Sequence, residues 1–335
     1  MTHPPTPTQL IDRFGRTVDY LRISITDRCD FRCVYCMAED MTFLPRAQIL
    51  TLEEIYTLAQ AFAELGVKKI RVTGGEPLVR KGALELLQNI GSIENLDELV
   101  ITTNGSQLET MAADLKEAGV KRINISLDTL DADKFKSITR TGDLHQVLKG
   151  IQAVKSVGFE RIKINSVILK DRNHLEVCDL VQFAVDNGID ISFIEEMPLG
   201  IVSQHDRSEA YYSSALIKAD LARDFSLVAT AEKTGGPSNY FSVVGSQTRV
   251  GFISPHSENF CSTCNRVRLT VEGQLLLCLG NEHSVDLKKV LRANPGNRDV
   301  LKQAIIDAMQ IKPEKHEFNI HEQPVILRHM NMTGG

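Results

Sequence analysis

Three cysteines, Cys29, Cys33 and Cys36, lie within the stretch DRCDFRCVYC, spaced C-x3-C-x2-C. The thiolate is the form of cysteine that binds metal, and three at this spacing can converge on one inorganic centre. A structural zinc site needs four protein ligands, commonly delivered as two C-x2-C pairs. Here the nearby alternatives for a fourth are His3 and Asp30, and neither continues the pattern. Iron-sulfur clusters also take thiolates, usually four, so three leave one iron of a cubane open to an outside ligand. An open iron is a reaction site.

A second triplet, Cys261, Cys264 and Cys278, occurs in NFCSTCNRVRLTVEGQLLLC, a C-x2-C pair followed after 13 residues by a single cysteine. Taken alone it reads as a zinc knuckle and hairpin, with His256 or His283 as fourth ligand. Beside the first triplet, a second cubane with its own open iron accounts for both. The seventh cysteine, Cys178, falls with Leu175 on the apolar face of a helical pattern and reads as core. An odd number of clustered cysteines does not suit a disulfide framework and fits a reducing compartment, the cytoplasm by default. The opening MTHPPTPTQL has no charged segment leading into an apolar one, so no secretory signal is expected.

These cysteines need a frame. From Leu21 to Met197 short β-rich runs alternate with helical patterns, as in repeated βα units around a parallel sheet. Six strands are expected, at 21–26, 69–73, 98–103, 122–127, 161–169 and 191–196. The first helix is bounded by a capping-box pair, Thr51 and Glu54, and by Gly66, with Ile55, Leu58, Ala59, Phe62 and Leu65 at helical spacing. Six such units with no reversal suit an α/β fold, an incomplete (β/α)6 TIM-like barrel, with an open doubly wound sheet as the alternative. In either, ligands gather at the carboxyl ends of the strands. Those ends carry Thr26, Asp27, Gly74, Gly75, Glu76, Thr102, Thr103, Asn104, Ser126, Asp128, Glu195, Glu196 and Met197. Turn and cap chemistry accounts for about half of them; the rest call for a ligand.

After Met197 the pattern changes to a weakly periodic stretch, a short helix near 214–224, strands in GGPSNYFSVVGSQTRVGFI, an amphipathic helix near 298–310 and an irregular tail. The expected division is an arm at 1–12, the barrel at 13–230 and a C-terminal extension at 231–335 that carries the second cluster. With 335 residues, 42% hydrophobic and 24% charged, the chain has an ordinary globular composition, and no apolar run approaches a membrane span. Its formal charge of -5 argues against a general nucleic-acid surface, while a small anion needs only a local basic pocket. In NRVRLTV, Arg266, Arg268 and Thr270 alternate with Val267, Leu269 and Val271, which aims both arginines to one side of a strand.

The C-x3-C-x2-C triplet after the first strand, with an aromatic residue before its last cysteine and GGEP after the second strand, resembles the radical S-adenosylmethionine superfamily. The second triplet and the terminal Gly-Gly narrow the resemblance to the GTP 3′,8-cyclase family of molybdenum cofactor biosynthesis, over nearly the whole chain. The resemblance implies two [4Fe-4S] clusters, on Cys29, Cys33 and Cys36 and on Cys261, Cys264 and Cys278. It implies that S-adenosylmethionine meets Tyr35, Gly74, Gly75, Glu76, Ser126 and Met197, and that GTP meets Arg22, Arg71, Thr102, Lys163, Arg266, Val267 and Arg268. The first triplet with Arg266 and Arg268 would be catalytic, and Gly334 and Gly335 would reach the site. The implied reaction forms (8S)-3′,8-cyclo-7,8-dihydroguanosine 5′-triphosphate: a 5′-deoxyadenosyl radical abstracts the C3′ hydrogen, and C3′ attacks guanine C8. The implied partners are a flavodoxin- or ferredoxin-like electron donor, a downstream cyclic pyranopterin monophosphate synthase and a second copy of the chain, with no nucleic acid and no membrane.

The chain departs from that family at Ala38, where proline is frequent, in PLGIVSQHDRSEAYY, which lacks the frequent Gly-Asn and tryptophan, and at Ser238-Asn239, where Ala-Arg is frequent. Two other readings stay open. One is a radical enzyme with an auxiliary cluster acting on a peptide or another small molecule. The other is an electron-transfer or zinc-stabilised binding module without turnover.

Overall fold

A computed structural model describes residues 9–334 apart from 201, 203, 204, 233, 321 and 323–325. Six parallel strands come first: β1 (Tyr20–Ser24), β2 (Lys69–Thr73), β3 (Glu98–Thr103), β4 (Val120–Ser126), β5 (Arg161–Val167) and β6 (Asp190–Ile194). Six more follow: β7 (Leu227–Ala229), β8 (Asn239–Val243), β9 (Arg249–Ile253), β10 (Arg266–Leu269), β11 (Gln274–Leu276) and β12 (Ser284–Asp286). They form one sheet in the order β12-β11-β10-β1-β2-β3-β4-β5-β6-β9-β8-β7. Strands β1 and β6 are not neighbours, so the six-unit barrel is incomplete. Strand β10 extends it in parallel beside β1 and β9 beside β6, each with an antiparallel hairpin outside it.

The expected boundary at residue 230 runs between β7 and β8, which pair in this same sheet. The two ends of the sheet meet across the barrel mouth opposite the strands' carboxyl ends. There the Asn265 amide donates to the Gly235 carbonyl at 3.3 Å, and Lys69 and Arg122 donate to the Thr234 carbonyl at 2.8 and 3.3 Å.

Strand alternation divides the side chains cleanly. Leu21, Ile23, Ile70, Val72, Ile123, Ile125, Ile164, Ile191 and Phe193 point outward and join one core with the helices. Against them pack α1 (Leu52–Glu64), α2 (Ala83–Gly91), α3 (Leu108–Glu117), α4 (Ala132–Thr139), α5 (Leu144–Val157) and α6 (Val177–Asn187). Helix α1 shows the logic. The Thr51 side chain accepts from the Glu54 amide at 3.2 Å, the Glu54 carboxylate accepts from the Thr51 amide at 2.8 Å, and Ile55, Leu58, Ala59 and Phe62 are all buried. Burying a side chain of the Phe62 type contributes roughly 1.5–3 kcal/mol.

The later helices are α7 (Arg207–Ala210), α8 (Ser214–Leu221), α9 (Leu287–Ala293), α10 (Arg298–Met309) and α11 (Met330–Thr333). The tail read as irregular therefore contains one helical turn. Two further expectations need correction. Leu175 is 81% exposed, because residues 174–176 form a separate turn ahead of α6. Cys178 is half-buried against the core, its thiol 3.8 Å from the Asp220 carbonyl. No helix among the described residues is long and apolar enough to cross a membrane.

Candidate active site

The inner face of the sheet is polar, the reverse of the packed branched side chains that fill an ordinary closed barrel. The register places Tyr20, Lys69 and Arg266 side by side, and Arg22, Arg71 and Arg268 one layer nearer the carboxyl ends. Across the barrel, Asn124 and Lys163 share a level, as do Ser126 and Asn165. In the lower layer the cations are paired: Lys69 with Glu98 at 2.9 Å, Arg122 with Glu98, Arg161 with Asp190 at 3.6 Å and Arg249 with Asp190. At Arg266 and higher up the pairing stops. Among the described residues, Arg71, Lys163, Arg266 and Arg268 form no ion pair with a carboxylate. Arg71 instead donates to Tyr20 Oη at 2.6 Å and Thr102 Oγ1 at 2.9 Å, and Lys163 to Tyr240 Oη at 3.1 Å. Burial, together with the neighbouring Arg22 and Arg266, depresses Arg268 well below the usual guanidinium range. Burial also brings Arg22 down to about 10, with the Arg71 and Arg266 charges acting in the same direction.

These cations floor a cavity of about 220 Å³ whose other end carries the first cysteine triplet. Of the site residues expected from the sequence, Arg22, Cys29, Cys33, Tyr35, Cys36, Arg71, Gly74, Gly75, Thr102, Ser126, Lys163, Met197, Arg266 and Arg268 all line it. Gly74 and Gly75 are required by packing as well as by any ligand. A Cβ on Gly75 would lie 2.4 Å from the Arg28 carbonyl oxygen, and one on Gly74 2.7 Å from that of Thr26. The Gly75 amide donates a hydrogen bond to the Thr26 carbonyl and the Glu76 amide one to the Arg28 carbonyl, 2.7 and 2.8 Å, sealing this contact just before Cys29.

Glu76 and Val267 are placed differently. Glu76 is fully buried and does not line the cavity. Its carboxylate accepts from the Leu78 amide at 3.0 Å, Thr103 Oγ1 at 2.9 Å and the Asn104 amide at 2.6 Å, so it braces the loops after β2 and β3. Its carboxyl is raised to about 7 by burial. The Val267 side chain packs into the core, as strand alternation requires between Arg266 and Arg268, while the residue lines the adjoining cavity of the second triplet.

Cys29, Cys33 and Cys36 are free thiols, each half-buried. Burial pushes Cys36 up to about 12 and raises Cys29 and Cys33 as well; the Glu76 charge adds to Cys29, and the neighbouring Cys36 and Asp128 charges to Cys33. Thiolates there need a positive partner. The Phe31 amide, 3.4 Å from Cys29 Sγ, and the Asn104 amide, 3.8 Å away, supply only dipoles. Tyr35 donates to Asp128 at 2.7 Å, which also accepts from the Val167 amide at 2.8 Å.

The second triplet lines an adjoining cavity of about 80 Å³ that shares Met197, Arg266 and Arg268 with the first. Its surroundings are cationic. Lys312 Nζ is buried 3.7 Å from Cys264 Sγ, and despite burial Lys312 and Arg266 bring that thiol down to about 7. No three His, Cys, Asp or Glu side chains among the described residues are placed to hold a single metal ion. One tetrahedral zinc with bonds near 2.3 Å requires sulfurs about 3.8 Å apart, whereas a four-iron cubane spreads its thiolates more widely. The candidate fourth ligands are also engaged: His256 Nε2 meets the Glu196 carbonyl at 2.8 Å, His283 Nδ1 meets Asn281, and Asp30 accepts from Asn104 and Ser106, both at 2.6 Å. His3 lies outside the described residues. Both thiol sets therefore fit clusters better than zinc.

The tail docks into the same place. Arg268 donates to the Gly334 carbonyl at 2.5 Å, Asn331 donates to the Asp27 carbonyl at 2.8 Å, and a Cβ on Gly334 would collide with Thr73 Cγ2 at 2.1 Å. Gly335 lies outside the described residues. The divergent stretch after β6 is held by Arg207, which donates to Glu196 at 3.0 Å and to the carbonyls of Gly200 and Leu199 at 2.8 and 2.5 Å. Ser238 meets Ser192 at 3.0 Å on the cavity wall.

Sequence reasoning missed Tyr20, Lys69, Tyr240 and Lys312. For the first two a signal existed: each lies two residues before a selected arginine on the same strand face, Tyr20 before Arg22 and Lys69 before Arg71.

Residues 23–184 match the Radical SAM superfamily, and residues 189–318 match Molybdenum Cofactor Synthesis C. The chain is 59% identical to the GTP 3′,8-cyclase of Pseudomonas fluorescens (strain Pf0-1), over 97% of this chain and 98% of that one. It is 60% identical to the GTP 3′,8-cyclase of Pseudomonas entomophila (strain L48), over 98% and 99%, and 58% identical to that of Saccharophagus degradans, over 97% and 98%. Among solved structures, Streptococcus suis SuiB bound to S-adenosylmethionine superposes with a TM-score of 0.61 over 86% of this chain and 67% of that one. At 16% identity this is a likeness of fold alone.

Proposed function

The chain belongs to the GTP 3′,8-cyclase family of radical S-adenosylmethionine enzymes, and from that premise we propose how its own residues divide the cyclisation of GTP that opens molybdenum cofactor biosynthesis. Two [4Fe-4S] clusters and S-adenosylmethionine supply the chemistry when bound, generating the adenosyl radical that takes the C3′ hydrogen of GTP before C3′ closes onto C8. Cys29, Cys33 and Cys36 would hold the cluster that meets S-adenosylmethionine, and Cys261, Cys264 and Cys278 the one that faces the base. Gly74 and Gly75 present bare backbone to the methionine end, while Tyr35, Ser126 and Met197 wall the nucleoside end. Arg22, Arg71, Lys163 and Arg268 face the triphosphate, with Thr102 orienting Arg71, and Arg266 lies where the two cavities join. Guanidinium groups suit this task because each can grip two phosphate oxygens at once. Gly334 brings a backbone carbonyl onto Arg268, and Gly335 follows it.

One observation carries the assignment: a single cavity has one thiol triplet at one end, a floor of cations of which Arg71, Lys163, Arg266 and Arg268 pair with no carboxylate among the described residues, and the other triplet alongside. A nucleoside triphosphate concentrates several negative charges in one place, as a floor of several clustered cations requires. The reading takes residues 13–230 as the radical-generating part and 231–335 as the part that completes the nucleotide site. It includes a flavodoxin- or ferredoxin-like donor, delivery to a cyclic pyranopterin monophosphate synthase, pairing of two chains and a cytoplasmic setting that keeps the thiols reduced. The test is anaerobic reconstitution with iron and sulfide, then reductant, S-adenosylmethionine and GTP, with products followed by mass spectrometry. Formation of 5′-deoxyadenosine together with a cyclised nucleotide is expected; 5′-deoxyadenosine without GTP consumption would move the assignment to another substrate.

A further inference from the structure

Two buried phenols face the cations on which this reading places the triphosphate, and neither has a part in it so far. Tyr20 is 2% exposed and Tyr240 4%. At the Tyr20 hydroxyl both hydrogen bonds are accepted, from Arg71 Nε at 2.6 Å and Arg22 at 3.4 Å, and the Lys69 ammonium stands 5.0 Å from the ring centre. A neutral phenol has a proton to donate, and no acceptor among the described residues receives it. Across the cavity Tyr240 accepts from Lys163 at 3.1 Å and exchanges a hydrogen bond with Thr234 at 3.3 Å, with the Arg249 guanidinium 5.0 Å from its ring.

Other charges share these surroundings: Arg71, Arg122 and Arg161 line a small cavity with Tyr240, Arg122 being paired with Glu98 and Arg161 with Asp190. Arg266 of β10 is the cross-strand neighbour of Tyr20, and Glu98 of β3 engages Lys69. Asp190 of β6 engages Arg249 rather than Tyr240. Among the described residues, Tyr20 is the acidic side chain that Arg71 contacts and Tyr240 the one that Lys163 contacts.

We propose that Tyr20 and Tyr240 are positioning residues that serve as internal counter-anions for Arg22, Arg71 and Lys163, and that they take up protons when the triphosphate of GTP replaces them in that role. The inference rests on GTP occupying this cavity. Although burial alone would raise both phenols, the surrounding cations prevail, taking Tyr240 down to about 7 and Tyr20 well below the usual phenol range. A phenolate neutralises cations in the empty cavity, but beside a polyanion it is a like charge, and protonation removes the repulsion. The sign follows from linkage. Binding raises the phenol pKa and so consumes protons, and affinity for GTP falls as pH rises through the pKa of the empty state, by up to roughly tenfold per pH unit for each phenol.

The test is calorimetry of GTP binding to the holoenzyme at pH 8, without reductant or S-adenosylmethionine, in two buffers of different ionisation enthalpy. At that pH the terminal phosphate, whose last pKa is about 6, has no proton left to release. Net proton uptake is expected for the wild type and is expected to shrink in Tyr20→Phe and in Tyr240→Phe. The double variant should bind GTP with a flat pH profile from 7 to 8.5. Guanosine, lacking phosphates, should show no uptake with any of these proteins. GTP binding to the wild type without proton uptake would overturn the proposal, as would uptake undiminished in the double variant with its iron content intact. Failure of the wild type to bind GTP would instead overturn the functional reading on which it rests.

Discussion

Lys312 shows how much one side chain can decide. It is 1% exposed, and its ammonium meets the Leu277 carbonyl at 2.6 Å, the Arg266 carbonyl at 3.2 Å and Cys264 Sγ at 3.7 Å. It thus ties together β10, the start of the turn after β11 and one thiol of the second triplet. Replacing it with methionine keeps most of the volume but leaves two buried carbonyls without a donor, each costing about 1–3 kcal/mol. The variant is expected to unfold at lower temperature and to lose the iron of the second triplet while keeping that of the first, checked by calorimetry and by iron analysis. Retention of all the iron would show that the carbonyls find other donors. Nothing local in IKPEKHEF marks this lysine, because its partners lie some 35–48 residues away and only the folded hairpin brings them together. The cysteines were legible for the opposite reason: their spacing is local.

Among the elements, the outcome follows length and period. The six barrel strands and the capped first helix carry runs long enough for alternation or helical spacing to register, and β2 and β3 have the expected ends. Strands β7, β11 and β12 have three residues each and α11 has four, too short for any period. The loop after β2, which the resemblance assigns to S-adenosylmethionine, is also half of a seam. Gly75 leaves no room for a methyl group, since the obstructing atoms are backbone atoms of Arg28 and Asp27 rather than a movable side chain. Gly75→Ala must push apart the segments 74–76 and 26–28, just before Cys29. Overpacking of this kind costs roughly 1–3 kcal/mol. The expected result is loss of the first cluster and of 5′-deoxyadenosine formation with the second cluster retained, read from iron content and product analysis. An alanine variant with both clusters and normal cleavage would mean that the seam yields.

At the level of the whole molecule, Arg22, Arg71 and Lys163 belong to three separate strands; the resemblance groups them, and the register of the sheet shows how they converge on one cavity. The same folding gives the two thiol sets opposite electrostatic settings. Around the first, Glu76, Asp30 and Asp128 raise the thiols, and the compensating groups are chiefly amide dipoles. Around the second, Lys312 and Arg266 lower Cys264, and Lys312 opposes the rise of Cys278. Reduction adds an electron, so nearby cations favour it and nearby carboxylates oppose it. The second cluster is therefore expected to reduce at a less negative potential than the first. Anaerobic redox titration followed by electron paramagnetic resonance can compare two variants, one with alanine at Cys29, Cys33 and Cys36 and one with alanine at Cys261, Cys264 and Cys278. Exposure cannot produce this order by itself, because all six cysteines are half-buried. A reversed order would mean that hydrogen bonds to cluster sulfur outweigh the surrounding charges. The expected order would leave the stronger reductant beside Gly74 and Gly75 and the weaker one beside Lys312 and Arg266, at opposite sides of the cationic floor.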